Sequence, residues 1–264
     1  ITFNAESTNV TGNATSTTLT TGTYTVAIRG AFPRIYFNNT GDKDKIQTIE
    51  QWGTAIWVSM GQSFRGCSNL VLNATDTPNL SQATSMKNMF WNCSSFVDNG
   101  GAINNWDVST INNMQRAFQQ TSFDSAINNW DVSAVTIMIY MFANTPFNQN
   151  ISGWNTELVA SMFGMFFQAN KFNQDISSWD TSQVIDMNNM FEGATSFNQN
   201  LGDWDISNVT KMVDMFNGVT LSTTNYDTTL IGWYTDSSGV LNDGIDDVPS
   251  NITFHGGNST FCLS

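Results

Sequence analysis

The apolar and polar residues of this chain follow a pattern that returns about every 25 residues. In the clearest copies a tryptophan is followed eight residues later by a methionine, and four residues after that by a phenylalanine; these three positions are called the repeat Trp, repeat Met and repeat Phe. Seven copies begin at Trp52, Pro78, Trp106, Trp130, Trp154, Trp179 and Trp204, at intervals of 26, 28, 24, 24, 25 and 25 residues. A unit this short cannot bury its own apolar face, so the pattern predicts a solenoid in which each repeat stacks on its neighbours.

Two local patterns alternate within each repeat. Residues 207–216 place apolar side chains at i, i+3, i+6 and i+7, which predicts one or two turns of helix. Segments such as 147–151, 172–176 and 197–201 are short and extended in character, which predicts strands stacked into a parallel sheet. The predicted fold class is therefore an α/β solenoid, a leucine-rich-repeat-like right-handed superhelix with a short parallel β-sheet, short helices and a β-rich N-terminal cap.

The two ends of the array need covers, because a solenoid exposes apolar columns where it stops. Alternating residues predict strands at 24–28 and 35–37, so we assign 31–51 to an N-terminal cap and 1–30 to a linker or the end of a preceding module. The seven repeats occupy 52–225. Residues 226–264 form the predicted C-terminal cap, with a helix over 226–233, a loop over 235–248 and a closing strand over 252–255; three side chains of the helix are expected to cover the last repeat, namely Leu230, Ile231 and Trp233.

The repeating large apolar residues are expected to form continuous columns inside the array. A tryptophan, methionine or phenylalanine stripe at this spacing is typical of a core rather than of a cofactor site. The predicted structural core includes Trp106, Trp130, Trp154, Trp179, Trp204, Met187 and Phe191. We predict no cofactor.

Polar residues recur at fixed places as well. Asn148, Asn173 and Asn198 share one position, each followed by glutamine, so their amides are expected to hydrogen-bond from repeat to repeat. A carboxylate follows the repeat Trp in four copies: Asp107, Asp131, Asp180 and Asp205. We interpret these aspartates as caps of the predicted helices, with a calcium-binding column as the alternative, because Asn155 interrupts the series.

Two of the three cysteines occupy equivalent places. Cys67 and Cys93 each follow the repeat Phe by three residues, where other repeats carry threonine, alanine or valine. Small residues at this place predict a tight buried slot with two free thiols. A disulfide between Cys67 and Cys93 is the alternative, since neighbouring turns of a solenoid lie within disulfide reach.

Composition narrows the range of functions. The net charge is −13, although only 12% of residues are charged, so the surface is largely Asn, Ser, Thr, Gln and Gly. Such a surface lacks the basic stripe that binds nucleic acid, and no apolar run approaches the length needed to span a bilayer. The chain has a single histidine, His255, and no P-loop, dinucleotide fingerprint or zinc-protease motif, so we predict that it is not an enzyme.

The repeat as it stands here, WD.S.V..M..MF.....FNQ.IS.W, resembles that of the BspA-type leucine-rich-repeat surface proteins, also called mycoplasma-lipoprotein-type repeats. The resemblance runs from about residue 31 to 262. Residues 21–26 resemble the last strand of a polycystic-kidney-disease-type β-sandwich, the usual upstream neighbour in that family. Residues Pro78, Asn155, Ala160 and Ser161 depart from the family pattern.

This resemblance implies an extracellular or cell-surface protein that mediates adhesion or binds an extracellular protein or glycan. The expected partners are such a ligand or copies of the chain itself. The alternative function is a structural subunit of an extracellular filament or surface assembly, in which the apolar columns of successive molecules stack end to end. An enzyme acting on polysaccharide is a third class, and it would need paired carboxylates outside the repeat pattern.

Overall fold

The computed structural model describes residues 22–23, 25–28, 34–235, 248–249 and 252–262. The regular elements within these ranges are few. They are two 3-10 helices, Lys43–Lys45 and Ile103–Asn105, two short strands, β1 (Thr48–Ile49) and β2 (Val71–Leu72), and one α-helix, α1 (Thr223–Tyr234). Strands β1 and β2 pair in parallel, with Thr48 opposite Val71.

Successive repeats are joined by a ladder of parallel β-bridges. The bridging residue directly precedes the repeat Met, and the series runs through Ser85, Asn113, Ile137, Ser161, Asp186 and Lys211. Backbone N–H groups also donate to the following repeat at alternate positions: Met138 to Ser161, Tyr140 to Phe163 and Phe142 to Met165, over 2.9–3.0 Å. The backbone hydrogen bonds of each repeat are therefore made largely to its neighbours.

The short helices predicted inside the repeats are wrong. Each repeat contains two residues with a positive φ, one two places after the repeat Met and one two places after the repeat Phe. Two left-handed residues four positions apart interrupt a right-handed helix, and what remains is a chain of tight turns such as Met215 N–H to Met212 C=O. The first set is Gln62, Asn88, Arg116, Tyr140, Gly164, Asn189 and Asp214.

The predicted strands at 147–151, 172–176 and 197–201 are also absent, and the bridges lie before the repeat Met instead. The expected amide ladder at these segments is confirmed. The Oδ1 atom of Asn148 accepts from the backbone N–H of Asn173 and from Nε2 of Gln174, both at 2.9 Å. Asn173 repeats both contacts with Asn198 and Gln199, at 2.8 Å each.

The repeat Phe side chains form a continuous stack. Neighbouring ring centroids lie 5.6–5.8 Å apart from Phe64 to Phe216. A second phenylalanine column, 96–197, packs against it, with Phe191 and Phe197 4.0 Å apart. All the predicted core residues are buried: Trp106, Trp130, Trp154, Trp179, Trp204, Met187 and Phe191.

The repeat Trp side chains add a polar link to this core. From Trp130 onward, each indole Nε1 donates to a backbone carbonyl of the preceding repeat, beginning with Trp130 to Ile103 at 2.7 Å. Trp233 of α1 ends the series by donating to Leu201 at 2.8 Å. The indole of Trp106 follows the copy in which Pro78 replaces tryptophan, and its Nε1 has no hydrogen-bond partner in the described residues.

Aromatic residues cover both ends of the phenylalanine stack. Phe37 packs on Phe64 at 6.5 Å, and Phe254 meets Phe216 edge-on at 5.8 Å while also contacting Trp233. Residues 35–37 and 25–28 are not strands, so the β-rich N-terminal cap is reduced, within the described residues, to β1 and to backbone bonds such as Phe37 N–H to Ser63 C=O at 3.0 Å.

At the C-terminal end, helix α1 agrees with the predicted helix and is longer. Its buried residues are Tyr226, Thr229 and Trp233, whereas Ile231 is 58% exposed, so the expected covering role of Ile231 is wrong. Leu230 is partly buried against the core. The predicted closing strand is a single bridge between Phe254 and Met212, and most of the predicted loop, residues 236–247, lies outside the described residues.

Two predictions remain untested by these elements: the right-handed leucine-rich-repeat-like superhelix and the assigned domain boundaries. No helix among the described residues has the length and apolar character to cross a membrane.

Candidate interaction surface

One face of the repeat array carries most of its large, partly exposed side chains. They lie one or two places after the repeat Met, or one place after the repeat Phe, and they begin with Tyr36 from the N-terminal segment. We call this set the aromatic–arginine stripe, and its members are Tyr36, Arg65, Trp91, Arg116, Tyr140, Phe163 and Phe167. Because the rest of the surface is mostly small and polar, the stripe is chemically distinct.

Arginine and aromatic side chains alternate along the first four repeats of the stripe. The guanidinium carbon of Arg65 lies 3.9 Å from the ring centroid of Trp91, and that of Arg116 lies 4.9 Å from the same ring. Arg116 also lies 5.3 Å from the ring centroid of Tyr140. Cation–π contacts therefore hold Trp91 between two cations that come from the repeats on either side.

The ring of Tyr140 extends over the next repeat, which carries a glycine at the equivalent position. Its ring meets Phe163 and Phe167 edge-on, with centroids 4.9 and 6.0 Å away. Gly164 lies beneath it with φ of +56°, and a Cβ there would fall 2.3 Å from the tyrosine ring. The absence of a side chain at Gly164 thus lets Tyr140 pack flat across two repeats.

The stripe changes sign along its length. Beside these residues, Lys87 adds a third basic group to Arg65 and Arg116 in the first three repeats. In the last two repeats Glu192 holds the place equivalent to Arg65 and Asp214 the place equivalent to Arg116, next to Asp186 and Lys211. Tyr140 lies between the two ends: burial raises the pKa of its hydroxyl, Arg116 opposes the rise, and the carboxylates of Glu192 and Asp186 add to it. Arg116 and the two carboxylates therefore act on the pKa of the Tyr140 hydroxyl in opposite directions.

Few of these charges are neutralised inside the molecule. Lys211 pairs with Asp186 at 3.5 Å, and Glu192 accepts from the amides of Asn189 and Asn217. Neither Arg65 nor Arg116 pairs with a carboxylate of the described residues, although the chain has 22 acidic side chains. Within the residues that the structure describes, the stripe thus holds two cations that have no carboxylate counter-ion.

Three buried polar atoms beside the stripe also lack hydrogen-bond partners among the described residues. They are Arg116 Nε, Gln119 Oε1 and Asn88 Oδ1, and Asn88 is only 5% exposed. Asn88 and Arg116 hold the same place in adjacent repeats. Unsatisfied buried groups cost free energy, so their concentration at one surface is unusual.

The predicted aspartates lie elsewhere and serve their own turns. Asp131 accepts from the backbone N–H and the hydroxyl of Ser133, at 3.0 and 2.6 Å, and the hydroxyl contact contributes most to lowering the pKa of Asp131. Asp107, Asp180 and Asp205 make the same backbone contact two residues on, as does Asn155. The aspartates therefore cap turns, and the helices they were expected to cap are absent.

Two of these carboxylates, those of Asp107 and Asp131, line a shallow open cleft of about 290 Å³ together with Asn104, Asn129 and the backbone around Trp106. No group of three or more metal-ligating side chains is gathered at this cleft or elsewhere in the part of the chain that the structure describes. The single histidine is placed apart from both regions, and its Nδ1 accepts from the backbone N–H of Gly257 at 3.0 Å.

Cys67 and Cys93 are both buried and free, and Cys93 Sγ donates to the carbonyl of Phe64 at 2.9 Å. Burial raises the pKa of both thiols, that of Cys93 to about 12. Cys262 is exposed. A thiol that is buried and protonated reacts slowly with electrophiles.

We therefore expect a thiol reagent at pH 8 to modify one cysteine of the folded chain, Cys262, and all three once denaturant is added. Mass spectrometry of the labelled peptides identifies which cysteine reacted. A folded chain in which Cys67 or Cys93 reacts as fast as Cys262 would contradict the buried slot. A denatured, unreduced chain with a single reactive thiol would instead establish the Cys67–Cys93 disulfide.

The aromatic–arginine stripe was not predicted from the sequence. A usable signal lay in the position two places after the repeat Met, which holds Gln, Asn, Gly or Asp in five of the seven copies. Arg116 and Tyr140 depart from that set, and both adopt a positive φ, of 54° and 53°, which bulky side chains rarely do. An arginine and a tyrosine at a left-handed position that the other repeats fill with Gln, Asn, Gly or Asp indicate a role for their side chains.

Two overlapping segments of the chain, 58–152 and 121–233, match a family model described as "Mycoplasma protein of unknown function, DUF285". Together the segments cover more than half of the sequence and end within helix α1. Searches of curated proteins and of solved structures found no match.

Proposed function

The chain belongs to the Mycoplasma protein family of unknown function DUF285, and we propose that it is a non-enzymatic adhesion module of an extracellular surface protein. It binds an extracellular protein or glycan through the aromatic–arginine stripe. The repeats form a solenoid of the BspA leucine-rich-repeat type, with β-bridges joining successive turns and the phenylalanine stacks inside. The parallel bridges and the 5.6–5.8 Å ring spacing support this assignment.

The observation that carries the proposal is the composition of the stripe. Tryptophan, tyrosine and arginine are the residue types that contribute most binding energy at protein interfaces. Here they are concentrated on one face of a chain with 12% charged residues, and Tyr36 at the end of the stripe is 50% exposed. An exposed apolar side chain of the last repeat, Val213, holds the same place as Phe163 and extends this face.

The free-energy cost of the backbone conformation at two stripe residues also supports a binding role. A left-handed conformation costs a non-glycine residue on the order of 1 kcal/mol, and asparagine tolerates it better than arginine or tyrosine. Arg116 and Tyr140 nevertheless occupy left-handed positions, and the Nε of Arg116 has no hydrogen-bond partner in the described part of the chain. A binding role for the two side chains accounts for both costs.

The alternative function, a filament subunit built by end-to-end stacking, requires open apolar ends. Phe37 covers one end of the phenylalanine stack, and Phe254 with helix α1 covers the other. These caps weigh against end-to-end growth and favour a lateral surface for binding. A catalytic function would need a converging set of acid, base or nucleophile, and the candidate aspartates are used in turns of their own.

The test is binding of the immobilised chain to arrays of extracellular matrix proteins and glycans. Tyr140→Ala and Trp91→Ala are expected to weaken any specific binding at least tenfold, because each removes an interface anchor of about 2 kcal/mol. Tyr234→Ala, at a 39% exposed tyrosine of helix α1 outside the stripe, serves as the matched control. Binding that survives both stripe variants would contradict the assigned surface, provided that circular dichroism shows all three variants folded.

A further inference from the structure

The aromatic–arginine stripe is complementary to itself when reversed. Counting repeats by their methionines from Met60 to Met212, Lys87 and Arg116 lie in the second and third repeats, and Glu192 and Asp214 lie in the sixth and seventh. Tyr140 lies in the fourth, and Phe163 with Phe167 in the fifth. Basic, aromatic and acidic groups thus follow one another along a single face, symmetrically about the boundary between the fourth and fifth repeats, and the one basic group of the seventh repeat, Lys211, is paired with Asp186.

We propose that a second copy of this chain binds the stripe in antiparallel orientation, about a two-fold axis between the repeats of Tyr140 and Phe163. This pairing sets the third repeat opposite the sixth, so Arg116 meets the partner's Glu192. It sets the second opposite the seventh, so Lys87 meets the partner's Asp214. At the centre, Tyr140 packs against the aromatic pair of the partner.

Several features support a copy of the chain over another ligand. Neither Arg116 nor Lys87 has a carboxylate partner among the described residues, and the carboxylate of Glu192 is met only by amides. A ligand of one charge would satisfy one end of the stripe and be repelled by the other, whereas a reversed copy satisfies both. A two-fold contact of this kind uses one patch on both molecules and closes as a dimer.

Carbohydrate is a poorer match for the same face. A sugar that packs on an aromatic side chain requires the flat, electron-rich face of the ring. Arg65 and Arg116 lie over the ring of Trp91, and Arg116 lies over that of Tyr140. What remains accessible is a mixture of ring edges, aliphatic groups and guanidinium N–H groups, which is typical of a protein interface.

This inference rests on the stripe assigned under the proposed function and identifies the partner as the chain itself. An antiparallel pair points the N-terminal ends of the two arrays in opposite directions. That is the relation between molecules that project from two facing surfaces, so the pairing supplies a homophilic form of adhesion.

Sedimentation equilibrium of the 264-residue chain tests the pairing. The wild type is expected to be a monomer–dimer mixture whose dissociation constant rises with salt, because the flanking charge pairs are partly exposed. Arg116→Glu and Glu192→Arg, each alone, place like charges together and should weaken the dimer about tenfold or more. Lys171→Glu reverses an exposed charge that lies off the stripe and should leave the dimer unchanged.

Charge exchange is the decisive comparison. The double variant Arg116→Glu with Glu192→Arg restores attraction across the two-fold axis, as does mixing the two single variants, and both should recover dimers to within about threefold of the wild type. A double variant as weak as either single variant would overturn the pairing. A wild type that stays monomeric at the highest soluble concentration would overturn it as well.

The outcome is separable from that of the array experiment. A monomeric wild type whose binding to an array ligand is lost on Tyr140→Ala would refute the homophilic pairing and leave the proposed adhesion function standing. Circular dichroism melts of each charge variant establish that a lost dimer reflects lost pairing, since an unfolded variant would lose its cooperative transition.

Discussion

Replacing Phe191 with alanine is expected to lower the free energy of unfolding by about 3–5 kcal/mol, the range for removing a large aromatic side chain from a core. Phe191 is fully buried and lies inside the phenylalanine stack, with a ring on either side of it. Its ring contacts Phe166 and Phe216 at 5.7 Å each and Phe197 at 4.0 Å. The neighbouring repeats are held in register by backbone bonds on either side, so the cavity can collapse only in part.

Chemical denaturation followed by tryptophan fluorescence measures this change. Phe261→Ala is the matched control, because Phe261 is 60% exposed and its loss should cost less than about 0.5 kcal/mol. Repeat arrays unfold with limited cooperativity, so the backbone amides that lose protection from hydrogen exchange should be concentrated in the repeats next to Phe191. Equal effects of the two substitutions would contradict the interior stack.

The identity of the buried side chains in each repeat could be predicted from sequence, because it depends on their spacing alone. A tryptophan, methionine and phenylalanine at constant intervals must face the same way in every copy, and each named core residue is indeed buried. The amide ladder from Asn148 to Asn173 was predictable for the same reason. An asparagine oxygen that recurs one repeat apart can accept from the backbone N–H and the glutamine amide of the next repeat when the repeats stack.

The local backbone was not predictable from the same pattern. Apolar residues at i, i+3 and i+7 are equally typical of a helix and of a chain of tight turns whose buried side chains recur every three or four residues. The left-handed residues decide between them, and several are not glycine or asparagine: Gln62, Gln120 and Gln168 all have φ near 60°. Their conformation comes from the backbone bonds to neighbouring repeats, which local propensity does not encode.

The stripe was not predicted because it is not periodic. Arg65, Trp91, Arg116 and Tyr140 differ from one another and from the residues at equivalent places, so a search for repeated features passes over them. Their proximity appears only when the repeats are stacked. Residues that break a repeat pattern are then the ones to examine for function, and residues that keep it, such as Asp131 and Asp180, serve the fold.

Replacing Gly232 with alanine is expected to destabilise the C-terminal cap, with a net loss of up to about 2 kcal/mol. Gly232 lies in helix α1 against Gly202 of the last repeat, and a Cβ there would fall 2.3 Å from the Gly202 carbonyl oxygen and 2.4 Å from its Cα. Alanine favours a helix over glycine by about 1 kcal/mol, but overpacking against backbone costs about 1–3 kcal/mol and has no flexible side chain to absorb it. The clash therefore outweighs the gain in helix propensity.

The displaced helix should weaken the hydrogen bond from Trp233 Nε1 to Leu201 and uncover the end of the phenylalanine stack at Phe216. Hydrogen exchange of amides in α1 and the seventh repeat measures this loss directly, and the first repeats should be unaffected. Gly153→Ala is the matched control, since a Cβ at Gly153 meets no atom within 4 Å and should leave stability unchanged or slightly raised. If Gly232→Ala were as stable as Gly153→Ala, the contact of α1 with Gly202 would not be what closes the array. The expected difference between the two variants arises because an added Cβ would lie 2.3 Å from a backbone oxygen at Gly232 and meet no atom within 4 Å at Gly153.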